Sequence, residues 1–90
     1  MPFVYILKSI KNGTYYIGST VDLERRIEEH NNGNSKYTSK LRPLKLEFNQ
    51  EYSSLGDARK VENKLKRLKS RKIIERIIKE GYISAGVAQG

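Results

Sequence analysis

Cysteine and tryptophan are absent from this 90-residue chain, and His30 is its single histidine. Without cysteine there can be no disulfide framework, no thiolate zinc site and no thiol nucleophile. One histidine likewise excludes a metal site built from several imidazoles. A chain of this size buries only about 60–65% of its unfolded surface, so we expect a thin core without a large cofactor cavity.

Long apolar runs are also missing from the sequence. No apolar stretch approaches the roughly 20 residues that a membrane span requires. Residues 1–8 carry a short apolar run with no basic region before it, unlike a signal peptide. We therefore expect a soluble, cytoplasmic protein with one domain over residues 1–81 and an uncharged, frayed tail over residues 82–90.

Positive charge is concentrated in one segment. Lysine and arginine number 18 against 10 acidic residues, a formal net charge of +8. Residues 59–79 hold ten of the basic residues and two glutamates, so this segment carries the whole net charge. A localised basic surface favours a nucleic-acid partner, although a solvated basic helix that only maintains solubility has the same pattern.

The start of the chain predicts a β-hairpin. Two runs rich in β-branched and aromatic residues flank Asn12-Gly13, a strong hairpin signal. With an unbulged two- or four-residue loop, odd positions of the first strand share a face with even positions of the second. Tyr5 and Tyr16 then lie on one face. A four-residue loop over residues 10–13 would make them diagonal neighbours, whereas a two-residue loop would separate them along the ribbon.

The next segment predicts a helix with polar residues on its buried side. It has Thr20 or Asp22 as N-cap and ends at Gly33. Arg26 and His30 fall on the apolar face of this helix. Because arginine is almost never buried without a partner, an acidic group or an anion-binding cleft is expected beside Arg26.

The rest of the chain predicts one strand and two helices. Alternation of Leu46 and Phe48 with polar residues indicates a half-buried strand. The second helix has Ser53 or Ser54 as its cap, and the third begins after Ser70. A loop over residues 33–43 comes first. The predicted strand covers residues 45–52, the second helix covers residues 55–68, and the third helix ends at residue 81. The predicted class is α+β, a three-stranded antiparallel sheet flanked by helices in the order β-β-α-β-α-α.

Glu62 is out of place in the second helix. It lies within the apolar stripe, four residues after Ala58 and three before Leu65. A carboxylate at such a position is expected to be paired or bound to a cation.

Two short motifs resemble those of the GIY-YIG nucleases. Phe3-Val4-Tyr5 corresponds to the first motif, with Phe3 in place of its glycine, and Tyr16-Ile17-Gly18 matches the second in full. About ten residues separate them, as in the family. The resemblance covers residues 2–80 and is greatest to the small stand-alone members.

Three further residues match the family's site. The segment after Gly18 resembles the stretch that carries the family's catalytic arginine and histidine, here Arg26 and His30, and Glu62 matches its metal-binding glutamate. Residues 71–80 contain no asparagine of the kind that supports the site in many members. We also recognise no separate DNA-binding domain.

The resemblance implies a metal-dependent endonuclease that hydrolyses phosphodiester bonds in DNA, in a structure-selective way and with a role in DNA repair or processing. Glu62 would hold one Mg²⁺ or Mn²⁺, and Arg26 would stabilise the charge that develops on the phosphoryl group. Tyr5 or Tyr16 would act as the base that activates water. His30 would accept that proton or hold a tyrosine hydroxyl in place.

Other residues are candidates for contacts to phosphates and bases. These nucleic-acid-binding candidates are Lys36, Tyr37, Lys40, Arg42, Arg59, Lys66 and Lys69. The structural alternative for the charged pair is a salt bridge between Arg26 and Glu62. The functional alternatives are a nucleic-acid-binding module with weak or no cleavage, and a subunit active only with a protein partner.

Overall fold

The structure is a computed structural model that describes residues 1–33 and 38–83. Its elements are strands β1 (Phe3–Ser9) and β2 (Tyr15–Thr20), helix α1 (Leu23–Asn31), a short 3₁₀ helix (Ser39–Leu41), strand β3 (Leu44–Glu51) and helices α2 (Leu55–Leu68) and α3 (Arg71–Glu80). The predicted α+β class and the order β-β-α-β-α-α are confirmed.

The hairpin has the longer of the two predicted loops. The Ser9 amide donates to the Thr14 carbonyl at 2.8 Å, which leaves residues 10–13 as a four-residue loop. Tyr5 lies opposite Gly18 in the register between β1 and β2, and Leu7 lies opposite Tyr16. Tyr5 and Tyr16 are therefore diagonal neighbours on one face, as the parity of the two strands predicts.

The sheet has the order β2-β1-β3 and is antiparallel throughout. Val4 and Ile6 pack with the apolar residues of α2 and α3 on one face. Tyr5 and Leu7 pack with those of α1 on the other face. The central strand β1 is thus buried on both sides.

The register of β3 corrects the simple alternation of its side chains. Phe48 lies opposite Ile6 and Leu46 opposite Leu7, with a register shift between these pairs. Glu47 is therefore an extra residue in β3, and it sends Leu46 and Phe48 to opposite faces of the sheet. Leu46 packs on the α1 side and Phe48 in the core under α2 and α3. The uninterrupted alternation predicted for this strand would place both side chains on one face, and that prediction is wrong.

Each helix begins at a polar cap. Asp22, Ser54 and Ser70 each accept a hydrogen bond from the backbone N–H three residues further on. Asp22 rather than Thr20, and Ser54 rather than Ser53, occupy the cap positions. These bonds satisfy backbone donors that the first turn of a helix leaves free.

Ile83 differs from the predicted frayed tail. Its side chain is 5% exposed in the core, and its amide donates to the Gln50 side-chain oxygen at 2.8 Å. Residues 84–90 lie outside the described part of the chain. None of the helices in the described ranges is both long and apolar enough to cross a bilayer.

Candidate active site

Three of the predicted site residues form an aromatic cluster on the α1 side of the sheet. Tyr5 comes from β1, Tyr16 from β2 and His30 from α1. Ring centroids lie 6.4 Å apart for the two tyrosines, 5.9 Å for Tyr5 and His30, and 4.9 Å for Tyr16 and His30. The hairpin register and the helical face of α1 together produce this cluster.

His30 links Tyr5 to a buried threonine. The Tyr5 hydroxyl lies 3.0 Å from Nε2 of His30, and Thr38 Oγ1 lies 2.7 Å from Nδ1. Both His30 and Thr38 have 0% exposure. Burial, and then the positive charge of Arg26, lower the pKa of His30 to about 4. The imidazole is therefore neutral at neutral pH, with one ring nitrogen donating and the other accepting.

Sequence reasoning placed Thr38 among the loop residues that could contact phosphate and missed its role as a partner of His30. It lies in a polar loop eight residues after His30, close to Ser35 and Ser39 in the sequence. No periodicity or local motif distinguishes its hydroxyl from theirs. Only the tertiary contact shows which hydroxyl reaches the imidazole.

Tyr5 is held as a neutral phenol. Burial raises the pKa of Tyr5 to about 12, although a hydrogen bond with the Arg26 guanidinium acts in the opposite direction. Tyr5 is 1% exposed, which is the cause of this shift. A phenolate at Tyr5 would need more positive charge than the protein supplies.

Gly18 has a structural reason to be glycine. A Cβ built at this position would lie far closer to the Tyr5 hydroxyl than van der Waals contact allows. The Tyr5 ring therefore packs directly over the backbone of β2. The glycine of the second motif makes room for the tyrosine of the first.

Arg26 borders this cluster from α1. Its guanidinium forms a salt bridge with Glu29 at 3.1 Å, and its side chain is 35% exposed. Within the part of the chain that the structure describes, Arg26 pairs with Glu29 and Glu62 pairs with Lys66. The alternative salt bridge between Arg26 and Glu62 therefore does not form.

Glu62 reaches the same edge of the sheet from α2. The Ser19 hydroxyl donates to Oε1 of Glu62, and the Lys66 ammonium donates to Oε2 at 2.6 Å. The Lys66 nitrogen also lies 5.7 Å from the centroid of the Tyr16 ring. The expected pairing of the Glu62 carboxylate with a cation is observed, and Lys66 connects it to the aromatic cluster.

The nucleic-acid-binding candidates fall into separate groups. Lys66 and Lys69 line a cavity beside β2, and Arg59 is exposed on α2, one turn before Glu62. Lys40 and Arg42 are exposed between α1 and β3. Lys36 and Tyr37 lie outside the described residues, so their predicted contacts stay predictions.

Comparison with known proteins supports the arrangement. The model of the GIY-YIG catalytic domain matches residues 1–75. This chain belongs to the GIY-YIG family. Membership indicates a nuclease-type function, and with it the binding of nucleic acid. The resemblance noted in the two sequence motifs is thus confirmed over most of the chain.

Its relatives are small, stand-alone GIY-YIG proteins. A UPF0213 protein of Staphylococcus saprophyticus is 36% identical over 80 residues, which cover 88% of this chain and 95% of that protein. A UPF0213 protein of Halobacterium salinarum is 38% identical over 69 residues, 76% of this chain and 88% of that protein. The solution NMR structure of a UPF0213 protein from Bacillus halodurans has a TM-score of 0.55 and 32% identity, and covers 99% of this chain and 94% of that one.

GIY-YIG nucleases typically use a divalent metal, and the donor set fits a hard cation. No three His, Cys, Asp or Glu side chains gather at one point within residues 1–33 and 38–83. Mg²⁺ needs only one or two carboxylates when water and phosphate oxygens complete its shell. Glu62 is 15% exposed and Ser19 fixes one of its oxygens, which leaves Oε2 available once Lys66 moves away. The role of Glu62 as a ligand stays a prediction.

Proposed function

We propose that this GIY-YIG protein is a metal-dependent endonuclease that hydrolyses phosphodiester bonds in DNA. The observation that carries the proposal is the convergence of Tyr5, Tyr16, Arg26 and His30 at one sheet edge that Glu62 borders. The five side chains come from four different elements. A purely structural requirement does not account for a buried imidazole, two phenols and a guanidinium in mutual contact.

Arg26 is assigned to the charge of the phosphate. Its guanidinium is partly exposed and faces the Tyr5 oxygen as well as Glu29. Two oxygens of a phosphate would accept two parallel hydrogen bonds from the same guanidinium, at the expense of the contact with Glu29. Positive charge held in this way stabilises the extra negative charge of the transition state.

Tyr5 is assigned the role of general base, and His30 that of its proton acceptor. Since burial opposes a free phenolate, Tyr5 gives its own proton to Nε2 of His30 as its oxygen takes a proton from the attacking water. Because burial and the charge of Arg26 keep the pKa of His30 near 4, the imidazole holds that proton only transiently, with its Nδ1 anchored by Thr38. Tyr16 is more exposed than Tyr5 and lies beside Lys66. We assign it to substrate contact.

Glu62 is assigned to hold Mg²⁺ or Mn²⁺. A divalent cation there would supply positive charge to the phosphate oxygens and the leaving oxygen. Ser19 orients the carboxylate, and Lys66, released from Oε2, becomes free to contact a phosphate.

The decisive experiment compares cleavage by the wild type and three variants. Supercoiled plasmid, branched DNA and RNA are incubated with each protein, with and without Mg²⁺ or Mn²⁺. We expect cation-dependent cleavage of DNA by the wild type, and at least about 100-fold slower cleavage by Glu62→Gln and Arg26→Ala. Glu75→Gln is the matched control, because Glu75 is exposed and pairs with Arg71 on α3.

The preferred substrate in this assay tests the second part of the proposal. Faster cleavage of branched DNA than of plasmid would support structure-selective work in DNA repair or processing. Equal cleavage by the wild type, Glu62→Gln and Arg26→Ala would indicate a contaminating nuclease and contradict the proposal.

A DNA-binding module with weak cleavage is the second candidate. The Lys66 ammonium supports it, because it occupies the Glu62 oxygen that a metal would need. Binding that weakens steeply with salt, in the absence of cation-dependent cleavage, would favour this function.

A further inference from the structure

A cavity of about 550 Å³ lies beside β2, between this strand and α2, and reaches Tyr16 at the strand's edge. It is lined by Tyr15, Tyr16, Ile17, Leu65, Lys66, Lys69 and Ile74. Pockets of about 300–1,000 Å³ are typical of small-ligand sites in proteins. We call this cavity the β2 groove.

The chemistry of the β2 groove changes from its floor to its rim. Ile17, Leu65 and Ile74 are buried residues of the core and form an apolar surface. Lys66 and Lys69 are exposed and bring two positive charges to it. An apolar, flat group joined to an anion complements such a surface, and a nucleobase joined to its phosphate is such a group.

The Tyr15 ring forms one wall of the β2 groove, and its contacts hold it in place before any ligand binds. The Arg71 guanidinium carbon lies 4.8 Å from the centroid of its ring, and the Lys8 nitrogen lies 5.5 Å from it. These contacts hold the ring without a ligand, so little side-chain entropy is lost when the groove is filled.

Lys69 lines the groove from a strained backbone position. It caps the C-terminus of α2 with φ 47°, in the left-handed region, where glycine is the usual residue. A lysine at position 69 is therefore conformationally less favourable than a glycine would be.

The β2 groove is continuous with the candidate active site. Tyr16 belongs to both, and Lys66 contacts Glu62 at 2.6 Å while lining the groove. A group in the groove would therefore be a near neighbour of a phosphate held at Glu62.

We propose that the β2 groove binds one unpaired nucleotide next to the phosphate that is cut, and that the protein prefers DNA with an unpaired strand at that point. A base in a duplex is stacked and paired, so it enters such a groove only after its pairing and stacking have been broken. This inference rests on the proposed function, because it names the substrate class of the same site.

The test measures binding of the full chain by fluorescence anisotropy in EDTA, where no cation supports cleavage. Three labelled probes are compared: a single-stranded 12-nucleotide DNA, the same strand in a duplex, and a fully abasic strand of equal length and charge. We expect the single strand to bind about tenfold more tightly than either of the others, since contact of one base with aromatic and apolar side chains is worth that much or more.

Two variants connect this preference to the groove. Lys69→Gly removes the side chain and also relieves the left-handed strain, so it is expected to fold at least as well as the wild type. Lys72→Ala removes an equal charge from an exposed position on α3 outside the groove. We expect Lys69→Gly to lower single-strand affinity about fivefold or more, and Lys72→Ala to change it less than about twofold.

The outcomes separate this inference from the proposed function. Equal binding of base-bearing and abasic strands, or equal effects of the two variants, would overturn the groove assignment. Cation-dependent cleavage of duplex plasmid would still support the nuclease. If no probe binds and no DNA is cut, both proposals fail.

Discussion

The two halves of the site differ in exposure and in the kind of contact that holds them. The buried half consists of Tyr5, His30 and Thr38, all with 0–1% exposure and joined by hydrogen bonds of 3.0 and 2.7 Å. The exposed half centres on Lys66, whose side chain is 46% exposed and which pairs with a Glu62 side chain that is 15% exposed. One half is enclosed in the core, and the other borders solvent on α2.

Because of this difference, the side chains of the buried half are held in place, whereas the ion pair of the exposed half can exchange its partners. In the described residues every buried side-chain nitrogen or oxygen has a hydrogen-bond partner, so the buried half is fixed before a substrate arrives. Lys66 and Glu62 form an ion pair between residues one helical turn apart, close to solvent, and such pairs contribute little to stability. It can break when a phosphate or a cation competes for either partner.

Loss of the Tyr5 hydroxyl is expected to have the largest effect. Tyr5→Phe removes the proposed base, so cleavage should fall about 10²–10⁴-fold. Tyr16→Phe should cost less, because Tyr16 is assigned to substrate contact. Cleavage rates under single-turnover conditions measure both, and circular dichroism checks the fold. Cleavage by Tyr5→Phe within a few-fold of the wild type would remove Tyr5 from the reaction.

Removal of the Thr38 hydroxyl tests whether the buried half is held by its hydrogen bonds. Thr38→Val keeps the shape of the side chain and leaves Nδ1 of His30 unpaired. The free energy of unfolding should fall by about 1–3 kcal/mol. Urea unfolding measures it. Thr14→Val, at a half-buried position in the hairpin, is the control, with a change within about 0.5 kcal/mol.

The pH dependence of stability tests the burial of His30. The pKa of His30 is about 4 in the folded protein, against an ordinary value of 6.5. As the pH falls through 6.5, His30 of the unfolded chain binds a proton, whereas His30 of the folded protein stays neutral. Stability therefore falls as the pH falls between these two values, by about 2 kcal/mol from pH 7 to pH 5.

His30→Gln supplies the reference for this measurement. The variant retains every carboxylate of the protein, so an acid effect that does not come from His30 is common to both proteins. Urea unfolding at both pH values should show a smaller loss for His30→Gln than for the wild type. Equal losses would mean that His30 is not the group responsible.

Loss of the Lys66 ammonium should have the smallest effect on stability. Lys66→Ala breaks an ion pair near solvent, so the free energy of unfolding should change by less than about 1 kcal/mol. Lys60→Ala, another exposed lysine of α2, is the matched control for charge. Thermal unfolding of both variants measures the difference. If Lys66→Ala lowered the free energy of unfolding as much as Thr38→Val does, the exposed half would be held as firmly as the buried half, contrary to this comparison.

Local patterns predicted much of the architecture. The strands, the three helices and the cap Ser70 follow from turn chemistry and capping, which act over a few residues, whereas the structure decided between Thr20 and Asp22 and between Ser53 and Ser54. The parity of the hairpin also predicted the shared face of Tyr5 and Tyr16. The bulge at Glu47 was not predicted, because apolar alternation does not reveal an extra residue in a strand.

The sequence by itself determined which residues could do chemistry here. The absence of cysteine and the single histidine left tyrosine, arginine, histidine and glutamate, and the spacing in the hairpin and α1 selected Tyr5, Tyr16, Arg26 and His30. The tertiary structure alone decided their partners. Thr38 meets His30, Ser19 meets Glu62 across 43 positions, and Lys66 meets Tyr16. Such contacts depend on how whole elements pack, and no local pattern in the chain encodes them.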